Sequence, residues 1–206
     1  MSHMRKSLVI VGLVVLFGVG SHQLAAAEKA VQPDTDGIQV GEAAPAFSLP
    51  AYPEGSFSLA DAKGQVVVLY FYPKDETPGC TKEACSFRDA SAEFAKQGAV
   101  IWGVSADTLD SHKEFAANHK LPFPLLSDDG GKVRALFGNP TGEQSPLIMR
   151  ITYVIDAKRT VRNIIYGAGP KDVDLHITEA LKAVQELAQA KKADHATNPQ
   201  PSKLPY

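Results

Sequence analysis

The chain has 206 residues, of which 44% are hydrophobic and 21% are charged, and its formal net charge at pH 7 is −2. This composition is typical of one globular domain with a sizeable buried core, which argues against a disordered chain. The slight acidic excess offers no basic surface to a nucleic acid or an anionic membrane, so neither is expected as a partner.

The first 27 residues have the layout of a secretory signal. Arg5 and Lys6 precede an apolar run over residues 8–20, and small residues end the segment at Ala27. This order predicts a signal peptide, residues 1–27, with cleavage after Ala27. The run is shorter than the roughly 20 apolar residues of a spanning helix, so an uncleaved membrane anchor is the less favoured alternative. We therefore expect an exported, periplasmic protein without stable membrane association after cleavage.

Strands and helices alternate in one predicted domain, residues 41–191. Residues 65–72 form a continuous β-branched and aromatic run, which predicts a buried central strand. A Pro-Gly turn follows, and apolar residues at helical spacing predict a helix over residues 80–96. The later predicted elements are a strand at 99–105, a helix at 109–119, a strand at 123–126, a helix at 132–137, strands at 151–155 and 161–165, and a helix at 173–191.

This order predicts an α/β fold with a mixed central sheet that carries helices on both faces, because the last two strands are expected to form a hairpin. A flexible segment, residues 28–40, is expected before the domain. An N-terminal arm, residues 37–64, is expected to wrap the edge of the sheet. Residues 192–206 are polar and contain proline, which predicts a disordered C-terminal tail.

The chain has two cysteines, Cys80 and Cys85, and both belong to the helix that follows the central strand. Cys80 lies at the predicted helix start, where free backbone N–H groups and the helix dipole favour a thiolate. Cys85 follows five residues later, about 7.5 Å along an intact helix, which is too far for a disulfide. A disulfide therefore requires the first turns to unwind, which favours a switching pair over a structural disulfide.

The residues around Cys80 resemble the active-site signature of peroxiredoxins. Pro73, Thr77 and Cys80 match the pattern Pro-x-x-x-Thr-x-x-Cys, and Cys85 five residues later is typical of the atypical two-cysteine PrxQ, or bacterioferritin comigratory protein, subgroup. The resemblance extends from about residue 41 to residue 187. It implies a thioredoxin-like fold, which agrees with the element order.

By this resemblance, the protein is a thioredoxin-dependent peroxidase that reduces hydrogen peroxide and organic hydroperoxides without a metal or organic cofactor. Cys80 becomes a sulfenic acid, and Cys85 converts it to an intramolecular disulfide. A thioredoxin-like dithiol protein then reduces the disulfide by exchange. Because the chain carries a predicted signal peptide, this reductant is expected in the periplasm.

The resemblance also implies roles for individual residues. The catalytic set is Cys80, Cys85, Thr77 and Arg150, and the substrate-binding set is Pro73, Thr77, Gly79, Cys80 and Arg150. Thr77 and the Cys80 N–H bind the peroxide oxygens, Pro73 shields the thiolate, and Arg150 supplies positive charge. From the residues alone, Thr77 is equally well a helix N-cap. Glu83 and Arg88 recur in the family's helix, and each is expected to act through other partners.

Two alternatives remain open from the sequence. A disulfide oxidoreductase of the thioredoxin fold normally carries Cys-x-x-Cys, which this chain lacks. A non-catalytic binding domain with an inert disulfide is the second alternative.

His112 and His119 have no zinc-binding spacing, so no metal site is expected. A monomer is expected, because an intramolecular cysteine pair does not require a dimer.

Overall fold

The structure is a computed structural model that describes residues 37–53, 55–62, 64–139, 150–167 and 172–197. The predicted signal peptide, most of segment 28–40 and residues 198–206 lie outside these ranges. Within them, no helix has the length and apolar character that a membrane span requires.

The described residues form one seven-stranded sheet with the strand order β2-β1-β5-β4-β3-β6-β7. The strands are β1 (Ser48–Tyr52), β2 (Ser56–Ser58), β3 (Val66–Phe71), β4 (Ala99–Ser105), β5 (Leu125–Ser127), β6 (Arg150–Ile155) and β7 (Val161–Gly167). The helices are α1 (Pro78–Lys96), α2 (Leu109–His119), α3 (Lys132–Leu136) and α4 (Val173–Thr197). Strand β3 runs parallel to β4 and antiparallel to β6, so the sheet is mixed as predicted.

Side chains of β3 enter hydrophobic cores on both faces of the sheet, which explains its continuous apolar sequence. Val68 and Tyr70 pack in a core with residues of α1, α2 and α4, whereas Leu69 and Phe71 pack in a core with residues of α3 and the N-terminal arm. The predicted α/β architecture with helices on both faces is therefore confirmed.

Helix α1 is seated on the sheet by an aromatic stack. The ring of Phe87 stacks on that of Tyr70, with 4.7 Å between the ring centroids and 26° between the ring planes. Gly103 on β4 makes room for this arrangement, because a Cβ at that position would lie 2.7 Å from the Tyr70 ring. The stack holds the middle of α1 against the strand that leads into its first turn.

Two segments differ from the sequence-based predictions. The arm contributes β1 and β2, and β1 extends the sheet by pairing antiparallel with β5. These strands were not predicted because they are short and β1 contains Pro50. Helix α4 continues to Thr197, so the prediction of disorder is wrong for residues 192–197. Good helix formers such as Lys192 and Ala193 prolong the helix. Pro199 disfavours its continuation, because the residue before a proline avoids the helical conformation.

Candidate active site

The first turn of α1 places the Cys80 backbone where a helix has unused N–H groups. Thr77 is the N-cap residue with an extended backbone, and Pro78 is the first helical residue. The Thr81 N–H donates to the Thr77 carbonyl at 2.8 Å. The N–H groups of Gly79 and Cys80 precede this bond and have no acceptor within the helix. They supply two donors beside the sulfur.

The Cys80 side chain is buried against the sheet, with 2% of its surface exposed. Arg150, the first residue of β6, donates from Nη2 to Cys80 Sγ at 3.5 Å. The other side of this guanidinium forms an ion pair with Glu83, which follows Cys80 by one helical turn. The structure therefore brings Arg150 to Cys80 across 70 residues of sequence, and Glu83 is a partner through which Arg150 is oriented.

A layer of buried polar groups lies behind the Glu83–Arg150 pair. Burial raises the pKa of Glu83 to about 7, although Arg150 opposes this shift. His176 of α4 places Nδ1 2.8 Å from Thr152 Oγ1 and 3.8 Å from Glu83 Oε1. Burial lowers the pKa of His176 to about 4, so its ring is neutral at pH 7. From the sequence, Glu83 was expected to act through other partners, and His176 was not assigned a site role.

A second guanidinium, that of Arg134, approaches the site from α3. Arg134 is buried, donates from Nη2 to the Tyr72 carbonyl at 3.2 Å, and lies 5.9 Å from the centroid of the Phe71 ring. Burial lowers the pKa of Arg134, and the negative charges of Asp128 and then Cys80 oppose this shift. No sequence signal identified Arg134, because a Lys-Val-Arg turn is typical of an exposed helix.

The loop before Cys80 is bound to α2 through Asp75. The buried Asp75 carboxylate accepts from Tyr72 OH at 2.7 Å and from Ser111 Oγ and His112 Nδ1, each at 2.8 Å. Burial favours a higher pKa of Asp75, but the bonds from His112, Tyr72 and Ser111 outweigh it and lower the pKa. His112 is thus the buried anchor of this loop.

The next residue in the loop, Glu76, is also bound to α2. Its backbone has a φ of 58°, which is uncommon for a residue with a side chain. The Glu76 carboxylate accepts from Asn118 Nδ2 at 2.9 Å and from His119 Nε2 at 3.0 Å. These two hydrogen bonds lower the pKa of Glu76, and the bond from His119 has the larger effect. Two carboxylates therefore fix the path of the loop.

Thr77 and Pro73 lie in the same loop, and both are half-buried. The Thr77 hydroxyl donates to the Lys74 carbonyl at 3.0 Å and makes no side-chain capping bond. Its proton is therefore used within the loop, whereas its oxygen lone pairs are available to accept a bond.

Cys85 has a different environment, although it is on the same helix. It is half-buried in the unbroken part of α1, and Arg88 donates from Nη1 to Cys85 Sγ at 3.4 Å. Both cysteines are free thiols, as expected for two positions that an intact helix holds apart.

A groove of about 720 Å³ lies toward the other end of α1, lined by residues that include Ala95, Trp102 and Phe123. It contains none of the predicted site residues. In the parts of the chain that the structure describes, no three His, Cys, Asp or Glu side chains gather as a metal site would require. The candidate chemistry is therefore centred on the buried thiol.

A buried thiol at a helix start, with a guanidinium at its sulfur, defines a thiol-based enzyme built on a mixed α/β sheet. Residues 40–164 match the AhpC/TSA family. Over 150 residues the chain is 46% identical to the chloroplastic peroxiredoxin Q of Populus jackii, with coverage of 73% of this chain and 70% of that protein. The chain therefore belongs to the AhpC/TSA family, within its peroxiredoxin Q group.

Solved structures agree with this assignment. The peroxidoxin BcpB of Mycobacterium tuberculosis is similar with a TM-score of 0.66 and 37% identity, covering 72% of this chain and 97% of that one. The bacterioferritin comigratory protein of Xanthomonas campestris has a TM-score of 0.62 and 29% identity, covering 69% and 92%. These matches confirm the predicted thioredoxin-like fold. The protein is a thiol-dependent peroxidase that acts on a peroxide and uses a thiol reductant.

Proposed function

We propose that Cys80 reduces hydrogen peroxide and organic hydroperoxides and that Cys85 regenerates it through an intramolecular disulfide. The observation that carries this proposal is the 3.5 Å contact from Arg150 Nη2 to the buried Cys80 Sγ at the start of α1. A guanidinium and free helix N–H groups both favour a thiolate, which is the nucleophilic form of cysteine.

In the first step, the Cys80 thiolate attacks one peroxide oxygen. A sulfur–oxygen bond forms, the oxygen–oxygen bond breaks, and the leaving hydroxide or alkoxide takes up a proton. Arg150 and the N–H groups of Gly79 and Cys80 stabilise the charge that develops on the oxygens. Thr77 Oγ1 accepts the O–H of the peroxide, and Pro73 shields the thiolate from water. Cys80 is left as a sulfenic acid.

In the second step, the first turns of α1 unwind and bring Cys80 to Cys85. This step is required because an intact helix separates the two Cα atoms by more than a disulfide allows. The resulting disulfide is reduced by exchange with a dithiol protein of the thioredoxin type.

The range of substrates includes organic hydroperoxides. The Xanthomonas campestris protein, 29% identical to this chain, has an alkyl peroxide reduction activity. The half-buried loop formed by Pro73 and Thr77 provides the apolar and polar surfaces that an alkyl hydroperoxide needs. We expect tert-butyl hydroperoxide to be consumed as well as hydrogen peroxide, which coupled turnover with each oxidant measures.

The protein is further proposed to be exported and monomeric. Support for export comes from the signal-like residues 1–27, and support for a monomer comes from the placement of both cysteines on one helix. Amino-terminal sequencing of protein from the periplasmic fraction would begin after Ala27. Sedimentation at micromolar concentration would give the mass of one chain, and a dimer mass would overturn that part of the proposal.

The test of the proposed chemistry is intact mass and free-thiol count after one equivalent of hydrogen peroxide. Wild type is expected to lose both thiols and two hydrogens. Cys85→Ser is expected to stop at a sulfenic acid on Cys80, and Cys80→Ser is expected to leave Cys85 reduced. If wild type retains both thiols, the proposed function is wrong. An insulin-reduction assay without peroxide tests the disulfide oxidoreductase alternative.

A further inference from the structure

Arg88 connects Cys85 to a neighbouring helix. Its Nη1 donates to Cys85 Sγ at 3.4 Å and to the His119 carbonyl at 2.8 Å. Its Nε donates to Asp89 Oδ1 at 2.8 Å. No group of the peroxide-binding site takes part in these contacts. Cys85 therefore contacts the guanidinium of Arg88, whereas Cys80 contacts that of Arg150.

We propose that Arg88 is a positioning residue for the resolving step. It places positive charge at Cys85 Sγ and anchors this part of α1 to the end of α2 while the first turns unwind. The inference rests on the proposed function, because it assumes that Cys85 attacks the oxidised Cys80.

The anchor uses a carbonyl that is otherwise left without a helical partner. His119 is the last residue of α2, and the final carbonyls of a helix have no intrahelical donors. The C-terminal end of a helix also favours a nearby cation. Arg88 therefore binds α2 at a point suited to a guanidinium, and its N–H groups donate to His119, Cys85 and Asp89 at once.

Anchoring on both sides of α1 limits how far the helix unwinds. Phe87 is fully buried and stacks on Tyr70, while Arg88 is bound to α2 on the neighbouring face. The turn at Cys80 contains Gly79, a poor helix former, and Thr77 makes no side-chain capping bond at this end. Unwinding from this weak end stops before Phe87, so Cys80 moves while Cys85 stays in place.

The charge at Cys85 serves the bond-forming event. The Cys85 thiolate attacks the Cys80 sulfenic sulfur, the sulfur–sulfur bond forms, and the sulfur–oxygen bond breaks. Hydroxide leaves and takes a proton from solvent to become water. Cys85 is oxidised and the Cys80 sulfur is reduced from the sulfenic level. The guanidinium at Cys85 Sγ stabilises the negative charge of the attacking sulfur by a charge-assisted contact.

The experiment separates the peroxide step from the resolving step in the mature chain. Rapid quenching with a sulfenic-acid trap, followed by mass spectrometry, follows sulfenic acid and disulfide over time. The variants are Arg88→Ala, Arg88→Lys and a control on the same helix, Lys82→Ala, which removes an exposed ion pair with Asp174.

In Arg88→Ala we expect disulfide formation to slow about tenfold, the loss that one hydrogen bond to a charged group represents. Sulfenic acid is expected to form at the wild-type rate, and excess peroxide should give more sulfinic acid. Arg88→Lys keeps the charge and is expected to recover part of the rate, whereas Lys82→Ala should match wild type.

Three outcomes would overturn the inference: equal disulfide formation in Arg88→Ala and wild type, equal slowing of both steps in Arg88→Ala, or no recovery in Arg88→Lys. The first of these leaves the proposed function intact, because the disulfide still forms. Absence of a Cys80–Cys85 disulfide in wild type would instead mean that the proposed function itself has failed, and the inference with it.

Discussion

Cys80 and Cys85 share one helix but have opposite surroundings. Cys80 is 2% exposed, lies in the first turn, and contacts a guanidinium from the sheet. Cys85 is half-buried in the middle of the helix and contacts a guanidinium from the helix itself. The two thiols therefore have separate environments. That of Cys80 suits reaction with a peroxide that enters a closed site, and that of Cys85 suits reaction with the Cys80 sulfur after it moves out of that site.

Removing the positive charge of Arg150 beside Cys80 is expected to have the largest effect on the difference between the two thiols. Arg150→Gln is expected to slow sulfenic acid formation about 100-fold, the typical effect of losing one preorganised donor to a developing anion. Competition kinetics against a second peroxidase measures this rate. Arg162→Gln on β7 is the control, because it removes a partly exposed pair with Asp156. A rate in Arg150→Gln within the error of wild type would contradict the role of Arg150.

Two histidines of α2 hold the loop before Cys80, and their substitution measures how much each contact contributes to the free energy of unfolding. His112→Leu removes a buried donor to Asp75 and is expected to lower the free energy of unfolding by about 3 kcal/mol. His119→Leu removes the more exposed bond to Glu76 and is expected to cost less than about 1 kcal/mol. Urea unfolding measures both values. Equal losses would show that the buried pair has no special role.

The layer behind Glu83 predicts a dependence of stability on pH. The pKa of His176 is lowered from 6.5 to about 4 by folding. Between these two pH values the ring is protonated in the unfolded state and neutral in the folded state. The stability that His176 contributes is present above about pH 6.5 and is lost as the pH falls towards 4. His176→Gln should therefore flatten this acid limb by about 2 kcal/mol at pH 4.5.

Urea unfolding between pH 4 and 7 measures this change, with Thr178→Ala as the control on the same helix. Glu83 acts in the opposite direction in this range, because its pKa is raised to about 7 and its contribution is lost as the pH rises. A His176→Gln profile parallel to that of wild type would contradict the assignment of a neutral, buried ring.

The exposed side of α1 between the two cysteines should contribute little. Lys82 pairs with Asp174 at 3.3 Å, and both side chains are largely exposed. Lys82→Ala is expected to change the free energy of unfolding by less than about 0.5 kcal/mol, because such pairs are screened by solvent. A thermal melt is sufficient to detect a larger effect, which would show that this surface also holds the first turn.

Local patterns predicted the elements that carry the thiols. The apolar run of β3 and the helical spacing after Pro78 placed Cys80 at a helix start, and the structure has α1 beginning at Pro78. Arg150 was found only through the family resemblance, because its distance along the chain from Cys80 leaves no local pattern. The sequence thus predicts the nucleophile better than it predicts the groups around it.

The groups that were missed are brought to the site by tertiary packing. Arg134 arrives on a five-residue helix that looks solvent-exposed in sequence. His112 was considered only as a metal ligand, whereas its partner Asp75 lies 37 residues earlier. Burial decides the state of His176 and Glu83, and burial depends on packing that periodicity does not report. These positions are predictable only once the sheet order is known.

The unbroken first turn of α1 also bears on the reduction potential of the enzyme. Closing a Cys80–Cys85 disulfide requires this turn to unwind, and reducing the disulfide allows it to refold. The free energy of refolding therefore adds to the driving force for reduction, and about 1.4 kcal/mol of helix stability raises the potential by about 30 mV. A more stable turn makes the disulfide a stronger oxidant. Substitutions far from either sulfur can thus match the enzyme to the electron donor of its compartment.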